Sequence, residues 1–154
     1  MNRILSIFIL VGLAACASSQ PAGEKTTDQY IADLSSGDTA LQIDAARKLG
    51  MRKDEKAVPA LVQLLDSNPG PDVSWNAAAA LGAIGKAGPA TSALTKSVSS
   101  SSSNVVKYAS VAGLANLRDA DKKAEVVQAV KSAADTNDDL LRDLATRVAD
   151  LLAK

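Results

Sequence analysis

Between Asp72 and Gly85 the chain reads Asp-Val-Ser-Trp-Asn-Ala-Ala-Ala-Ala-Leu-Gly-Ala-Ile-Gly. Val73, Asn76, Ala77, Ala80, Leu81 and Ile84 recur at i, i+3, i+4, i+7, i+8 and i+11. That spacing makes one face of a helix, with Asn76 its only polar member. The four consecutive alanines favour the helix and are small enough to let another helix approach closely. The pattern returns on both sides. Leu41, Ala45, Ala46, Leu49 and Gly50 match Val73, Ala77, Ala78, Leu81 and Gly82, as do Val106, Ser110, Val111, Leu114 and Ala115. Leu49, Leu81 and Leu114 lie 32 and 33 residues apart, a spacing that marks stacked helical repeats. Leu141, Ala145 and Val148 form a weaker fourth copy.

A second type of helix lies between these copies. Lys56-Ala57-Val58-Pro59-Ala60 is echoed by Lys86-Ala87-Gly88-Pro89-Ala90, and Val62-Gln63-Leu64-Leu65 by Val127-Gln128-Ala129-Val130. Pro59 and Pro89 suit a first helical turn, where a missing N–H costs nothing. Ser67-Asn68-Pro69-Gly70-Pro71 stops a helix, and Asp72 and Asn104 are candidate N-caps. The spacing predicts helices over Asp28–Leu34, Thr39–Met51, Glu55–Leu65, Asp72–Gly85, Pro89–Val98, Asn104–Arg118, Asp121–Ala134 and Asp138–Ala153. The first is then a half repeat and the last lacks a partner, as caps at the ends of a stack do.

These residues resemble HEAT repeats, particularly the short class also found in phycobilin lyases, whose core runs Val-Arg-x-x-Ala-Ala-x-Ala-Leu-Gly. The resemblance covers residues 28–154 and is strongest from Val73 to Gly85. It implies an all-α fold, a right-handed α-α superhelix of about three helix pairs plus terminal half repeats. The arginine of that pattern is replaced by Gln42, Ser74 and Lys107 and survives only as Arg142. The arginine-to-acid ladder usual between such repeats is therefore not expected, leaving packed alanine and leucine to hold the stack.

Ahead of the repeats, Met1 to Arg3 is a short positive start and Ile4 to Ala15 an apolar run broken only by Ser6 and Gly12. A bilayer-spanning helix needs about 20 apolar residues, so this run has the proportions of a signal-peptide core. It ends in Leu13-Ala14-Ala15-Cys16, which resembles a bacterial lipobox. The resemblance implies cleavage between Ala15 and Cys16, a diacylglyceryl group on the Cys16 thiol, and usually acylation of the new amino terminus. Two or more chains anchor stably where one is marginal. In enteric bacteria an aspartate after the cysteine retains a lipoprotein in the inner membrane, so Ala17 leans toward the outer membrane, facing the periplasm. The expected organisation is a signal peptide over 1–15, a lipidated cysteine with a flexible tether over 16–27, and the repeat domain over 28–154. The tether's eleven residues from Ala17 reach at most ~35 Å.

Composition narrows the chemistry. Lys plus Arg and Asp plus Glu number 17 each, and loss of Arg3 with the leader leaves a net charge of minus one. Neither a nucleic-acid footprint nor a polybasic lipid patch is visible. There is no histidine, which removes the commonest metal ligand and general base, and Cys16 is the one cysteine, so no internal disulfide forms. No Gly-rich phosphate loop occurs. Asp135, Asn137, Asp138 and Asp139 lack the turn glycine and closing glutamate of a calcium loop and read as an acidic helix start. Ser99 to Ser103 reads as a flexible connector. No enzyme, cofactor or metal is indicated.

What remains is recognition. Ile43, Trp75 and Tyr108 occupy one position in successive repeats, ~180° from the buried face, with Asp143 in the last copy. They either form an outward column that anchors a partner or fold over neighbouring repeats to cover backbone. The rival surface is the other face of the stack, with Gln63, Asp66, Lys96, Gln128 and Lys131. Three function classes follow. One is a lipid-anchored scaffold for an unidentified envelope protein, another an enzyme or enzyme accessory related to phycobilin lyases, and the third a purely structural envelope lipoprotein.

Overall fold

The computed structural model describes residues 24–153, so the leader, Ala15 and Cys16 lie outside the described residues. Within them all regular structure is helical. The helices are α1 Thr27–Leu34, α2 Thr39–Arg52, α3 Val58–Asp66, α4 Pro71–Ile84, α5 Pro89–Ser100, α6 Asn104–Leu117, α7 Lys123–Ala133 and α8 Asp139–Ala153. A 3₁₀ turn, Glu55–Ala57, precedes α3.

Local chemistry sets the ends. The Thr26 hydroxyl accepts the Gln29 N–H while the Gln29 side chain accepts the Thr26 N–H, a capping box that opens α1. Asp38 Oδ1 accepts the Ala40 and Leu41 N–H groups at α2. The helices α2, α4 and α6 all end on a left-handed residue: Lys53, Gly85 and Arg118. Asp72 and Asn104 are not the caps. Pro71, with its preset φ and missing N–H, starts α4 one residue before Asp72, so Gly70 takes the cap and Asp72 falls in the first turn. Asn104 is the first residue of α6 behind Ser103, and its amide donates to Asp138 Oδ2 at 3.3 Å instead. The acidic start of α8 does cap: Asp138 Oδ1 accepts the Leu141 N–H at 3.0 Å.

The helices stack in two layers, α1, α3, α5, α7 and α2, α4, α6, α8. The most extensive contacts run along the even layer, α2 to α4 and α4 to α6. Each odd helix also packs on the even helix after it, so α1 is closed by α2, and α8 by α7. The terminal elements thus have partners in hairpins of their own. Leu49, Leu81 and Leu114 lie fully buried between the layers, with Leu61, Leu94 and Leu141.

Small residues set the spacing of the even layer. A Cβ on Gly50 would lie 2.9 Å from the Ala80 Cα, and one on Gly82 only 2.5 Å from the Gly113 Cα. Helix axes approach this closely only where side chains are absent or nearly so. At the corresponding contact of α6 with α8 the sequence supplies Ala115 and Val148, and the two helices meet less extensively.

Polar groups also tie repeat to repeat, which alanine and leucine packing alone did not lead one to expect. Asp54, after α2, accepts the Thr27 hydroxyl at 2.7 Å; Asp119, after α6, accepts the Thr91 hydroxyl at 2.8 Å and the Gly88 N–H at 3.1 Å. Each reaches from the end of an even helix back to the start of the odd helix before it. The middle repeat has Lys86 at that position, paired with Glu55 at 3.0 Å.

Candidate functional site

The even helices pack inward through about two thirds of their circumference. The remaining third faces away from the odd layer. On α4 it carries Asp72, Trp75, Asn76, Ala79 and Ala83, on α6 Val105, Tyr108, Ala112 and Asn116. Trp75 is 40% exposed and Tyr108 44%, on neighbouring helices at the same repeat position. Ile43, at that position on α2, is half-buried against the core. The three sequence-predicted residues therefore share a register, with Trp75 and Tyr108 presented and Ile43 folded in.

Sequence reasoning missed the floor between them. Ala79 and Ala112 are half-exposed and Ala83 is exposed, while the exposed amide of Asn116 closes the strip at the far end of α6. On this face α4 and α6 carry no charged group beyond Asp72. The signal was available in the same spacing that located Trp75 and Tyr108. Ala79 and Ala83 fall four and eight residues after Trp75, and Ala112 four after Tyr108. The apolar surface continues onto α8. Tyr108, Leu140, Leu144 and Leu151 line a hollow of about 510 Å³, and Leu140 is 77% exposed. One ion pair, Arg47–Asp44 at 2.9 Å, stands beside the strip on α2, and another, Arg147–Asp143 at 3.4 Å, lines the α8 hollow itself. An apolar strip with polar and charged margins is the anatomy of a recognition surface.

The rival residues lie on the odd layer, where the structure does not gather them into one apolar surface. Gln63, Gln128 and Lys131 are exposed, and Lys96 on α5 bridges to Asp66 on α3 at 2.7 Å. That pair ties two repeats together.

Near the N-terminus the expected tether gives up its last residues to the fold. Arg52 pairs with Glu24 at 2.9 Å, donates to the Lys25 carbonyl at 2.9 Å and lies 4.9 Å from the Tyr30 ring centre. Lys25 pairs with Asp33 at 2.7 Å. The Arg52 guanidinium holds the Glu24 carboxyl below the usual range, and Asp33 holds the Lys25 ammonium above it. Among the described residues no three acidic, cysteine or histidine side chains cluster to hold a metal ion, and no helix is long and apolar enough to cross a membrane.

No curated protein matches the chain at a significant level. Residues 27–115, from the start of α1 into α6, match the family described as HEAT repeats, and this span exceeds half of the chain. The two-layer stack of helical hairpins and its close approaches of Gly50 to Ala80 and of Gly82 to Gly113 agree with that match, and the chain belongs to the HEAT-repeat family.

Proposed function

We propose that this protein is a lipid-anchored, non-catalytic scaffold of the bacterial cell envelope that holds a protein partner on the outward face of its even helices. HEAT repeats form a protein-interaction kind of fold, and repeat stacks present extended surfaces of this sort. The observation that carries the reading is the pair Trp75 and Tyr108, large rings exposed in register over a floor of alanines. Aromatic side chains are the usual anchors of interfaces because each removes much apolar area from water at little rotamer cost. The partner is an envelope protein, and the anchor is the diacylglyceryl thioether at Cys16 implied by Leu13-Ala14-Ala15-Cys16. Ala17 after the cysteine favours the outer membrane, facing the periplasm.

Two measurements test this. Cys16→Ser should leave the helices folded while the protein moves from the membrane to the soluble fraction or keeps its leader uncleaved. Unchanged lipid attachment would sink the anchor. Affinity capture of the full chain from detergent-solubilised membranes should retain one partner in stoichiometric amount, and lose it when Trp75 and Tyr108 are both replaced by Ala. Capture indifferent to that pair would sink the docking face.

A further inference from the structure

The position after the first apolar residue of each even helix is filled differently in each repeat, and the difference leaves a space. In α2 it is Gln42, whose buried amide donates to the Leu34 carbonyl at the end of α1 at 3.1 Å. In α8 it is Arg142, an exposed residue whose guanidinium donates to the Thr136 carbonyl after α7 at 2.6 Å and pairs with Asp139 at 2.7 Å. Both side chains reach back to an acceptor at the end of the odd helix before them. In α4 the residue is Ser74, and Leu65 of α3 stands where Leu34 stands in α1. Serine is too short to make the reach. Its hydroxyl is buried, 2% of the residue being exposed, and has no hydrogen-bond partner. A buried hydroxyl without a partner in the chain is unusual and calls for one from outside it, a water or a bound group.

A cavity of about 250 Å³ opens there, bounded by Leu65, Asp66 and Asn68 at the end of α3, by Ser74, and by α5 and the serine run that follows it. Its polar lining comprises Asp66, Asn68, Ser74, Lys96, Ser97, Ser100, Ser101 and Ser102. The Ser97 and Ser101 hydroxyls each already accept one hydrogen bond, from the Ser110 hydroxyl and the Ser103 N–H, and the Ser100 hydroxyl donates to the Lys96 carbonyl. That leaves lone pairs on all three oxygens. Leu65, Ala93 and Val106 add an apolar side. One water takes about 30 Å³ of liquid, so the space holds several waters or one extended side chain. The single cation on it, Lys96, is paired to Asp66 at 2.7 Å with its side chain 64% exposed, so an incoming cation has to compete with it for the carboxylate.

We propose that this cavity binds a guanidinium group from outside the chain, an arginine side chain of a partner, in the place that the chain's own residue fills at Gln42 and Arg142. The acceptors suit the planar fork of N–H donors, and the apolar side suits the three-carbon stem. The site is separate from the Trp75–Tyr108 face and does not depend on it.

The test uses the full chain in detergent, titrated with N-acetyl-arginine amide and followed by the backbone amide shifts of Asn68, Ser97 and Ser100. The neutral isostere N-acetyl-citrulline amide and the stemless cation methylguanidinium serve as comparisons. Saturable shifts are expected with the blocked arginine, at least about tenfold weaker with either comparison compound. Ser74→Arg places the chain's own guanidinium in the cavity and should abolish the response while raising Tm. Asp66→Asn, on the exposed rim, should weaken binding without unfolding, and Lys96→Gln should strengthen it. Equal responses to arginine and citrulline, or an Asp66→Asn variant that binds as well as the parent, would overturn the proposal. Methylguanidinium binding as tightly as blocked arginine would overturn its assignment to a side chain.

Discussion

The Asp119 carboxylate receives the Thr91 hydroxyl at 2.8 Å, tying the end of α6 to the first turn of α5. Its other hydrogen bonds, from Gly88 and Asp121 N–H groups, complete a fixed nest of donors around one anion. Thr91 first, and Gly88 next, hold the Asp119 carboxyl below its ordinary range, and Thr27 with Lys56 N–H does the same for Asp54.

Thr91→Val keeps the shape of the fully buried side chain and removes its donor. The expected cost is about 1 kcal/mol at neutral pH, read from the denaturant midpoint. The Asp119 titration should move up toward the ordinary carboxylate value of about 3.9. The sign follows from linkage. With both carboxyls depressed in the fold, the unfolded chain binds more protons through the interval below that value. The stability they contribute is complete above it and drains away as pH falls through the folded values. The difference between parent and Thr91→Val should therefore shrink below about pH 4. A constant difference down to pH 2 would show that the bond to Thr91 does not favour the ionised carboxylate.

Gly82 and Gly113 face each other where α4 crosses α6, yet alanine at the two positions should behave differently. At Gly82 the new methyl carbon meets the Gly113 backbone at 2.5 Å, which only a shift of a helix relieves. At Gly113 it meets the flexible end of Leu94 at 2.9 Å and the Gly82 Cα at 3.3 Å. Gly82→Ala should cost roughly 2–3 kcal/mol and Gly113→Ala clearly less. Thermal unfolding of the two variants checks the order, and equal costs would mean that the helices slide freely.

Most of the fold was legible because its signal is periodic. Each helix buries one stripe, so Leu49, Leu81 and Leu114 declare both the helices and the 32- to 33-residue repeat without any tertiary knowledge. The ends were less legible where two devices competed: Pro71 overrode Asp72 as the start of α4, and Glu55–Ala57 formed a 3₁₀ turn instead of the first turn of α3. The staples at Asp54 and Asp119 escaped because their partners lie 27 and 28 residues away, and no local spacing reports a side chain's reach. The same holds for the face itself. Trp75 and Tyr108 were found as large residues at an outward position, whereas Ala79, Ala83 and Ala112 are as good in a core as on a surface. Their spacing from Trp75 and Tyr108 puts them on the same side of the helix, but only the packing shows that this side is left uncovered.

Leu81 sits at the centre of this packing with none of its surface exposed. Leu81→Ala should cost roughly 2–5 kcal/mol, the transfer of the lost methyl groups plus the cavity left between layers that are already close-packed. A denaturant midpoint within error of a surface variant such as Gln128→Ala would show that the layers re-close over the gap.

Trp75 and Tyr108 separate stability from recognition. Each residue keeps 40% or more of its surface in water, so truncation removes less packing than at Leu81. Trp75→Ala with Tyr108→Ala should leave the chain folded, with the midpoint lowered by less than in Leu81→Ala. Partner capture should fall at least about thirtyfold, since even one buried interface aromatic contributes about 2 kcal/mol. Gln128→Ala with Lys131→Ala, on the odd layer, should leave capture within about threefold, as exposed polar residues at a rim or beyond it contribute little. The reverse result, capture lost on the odd-layer pair and kept on the aromatic pair, would move the docking surface to the opposite side of the stack. The two rings would then be what half-exposed aromatics elsewhere often are, covers for the backbone beneath them.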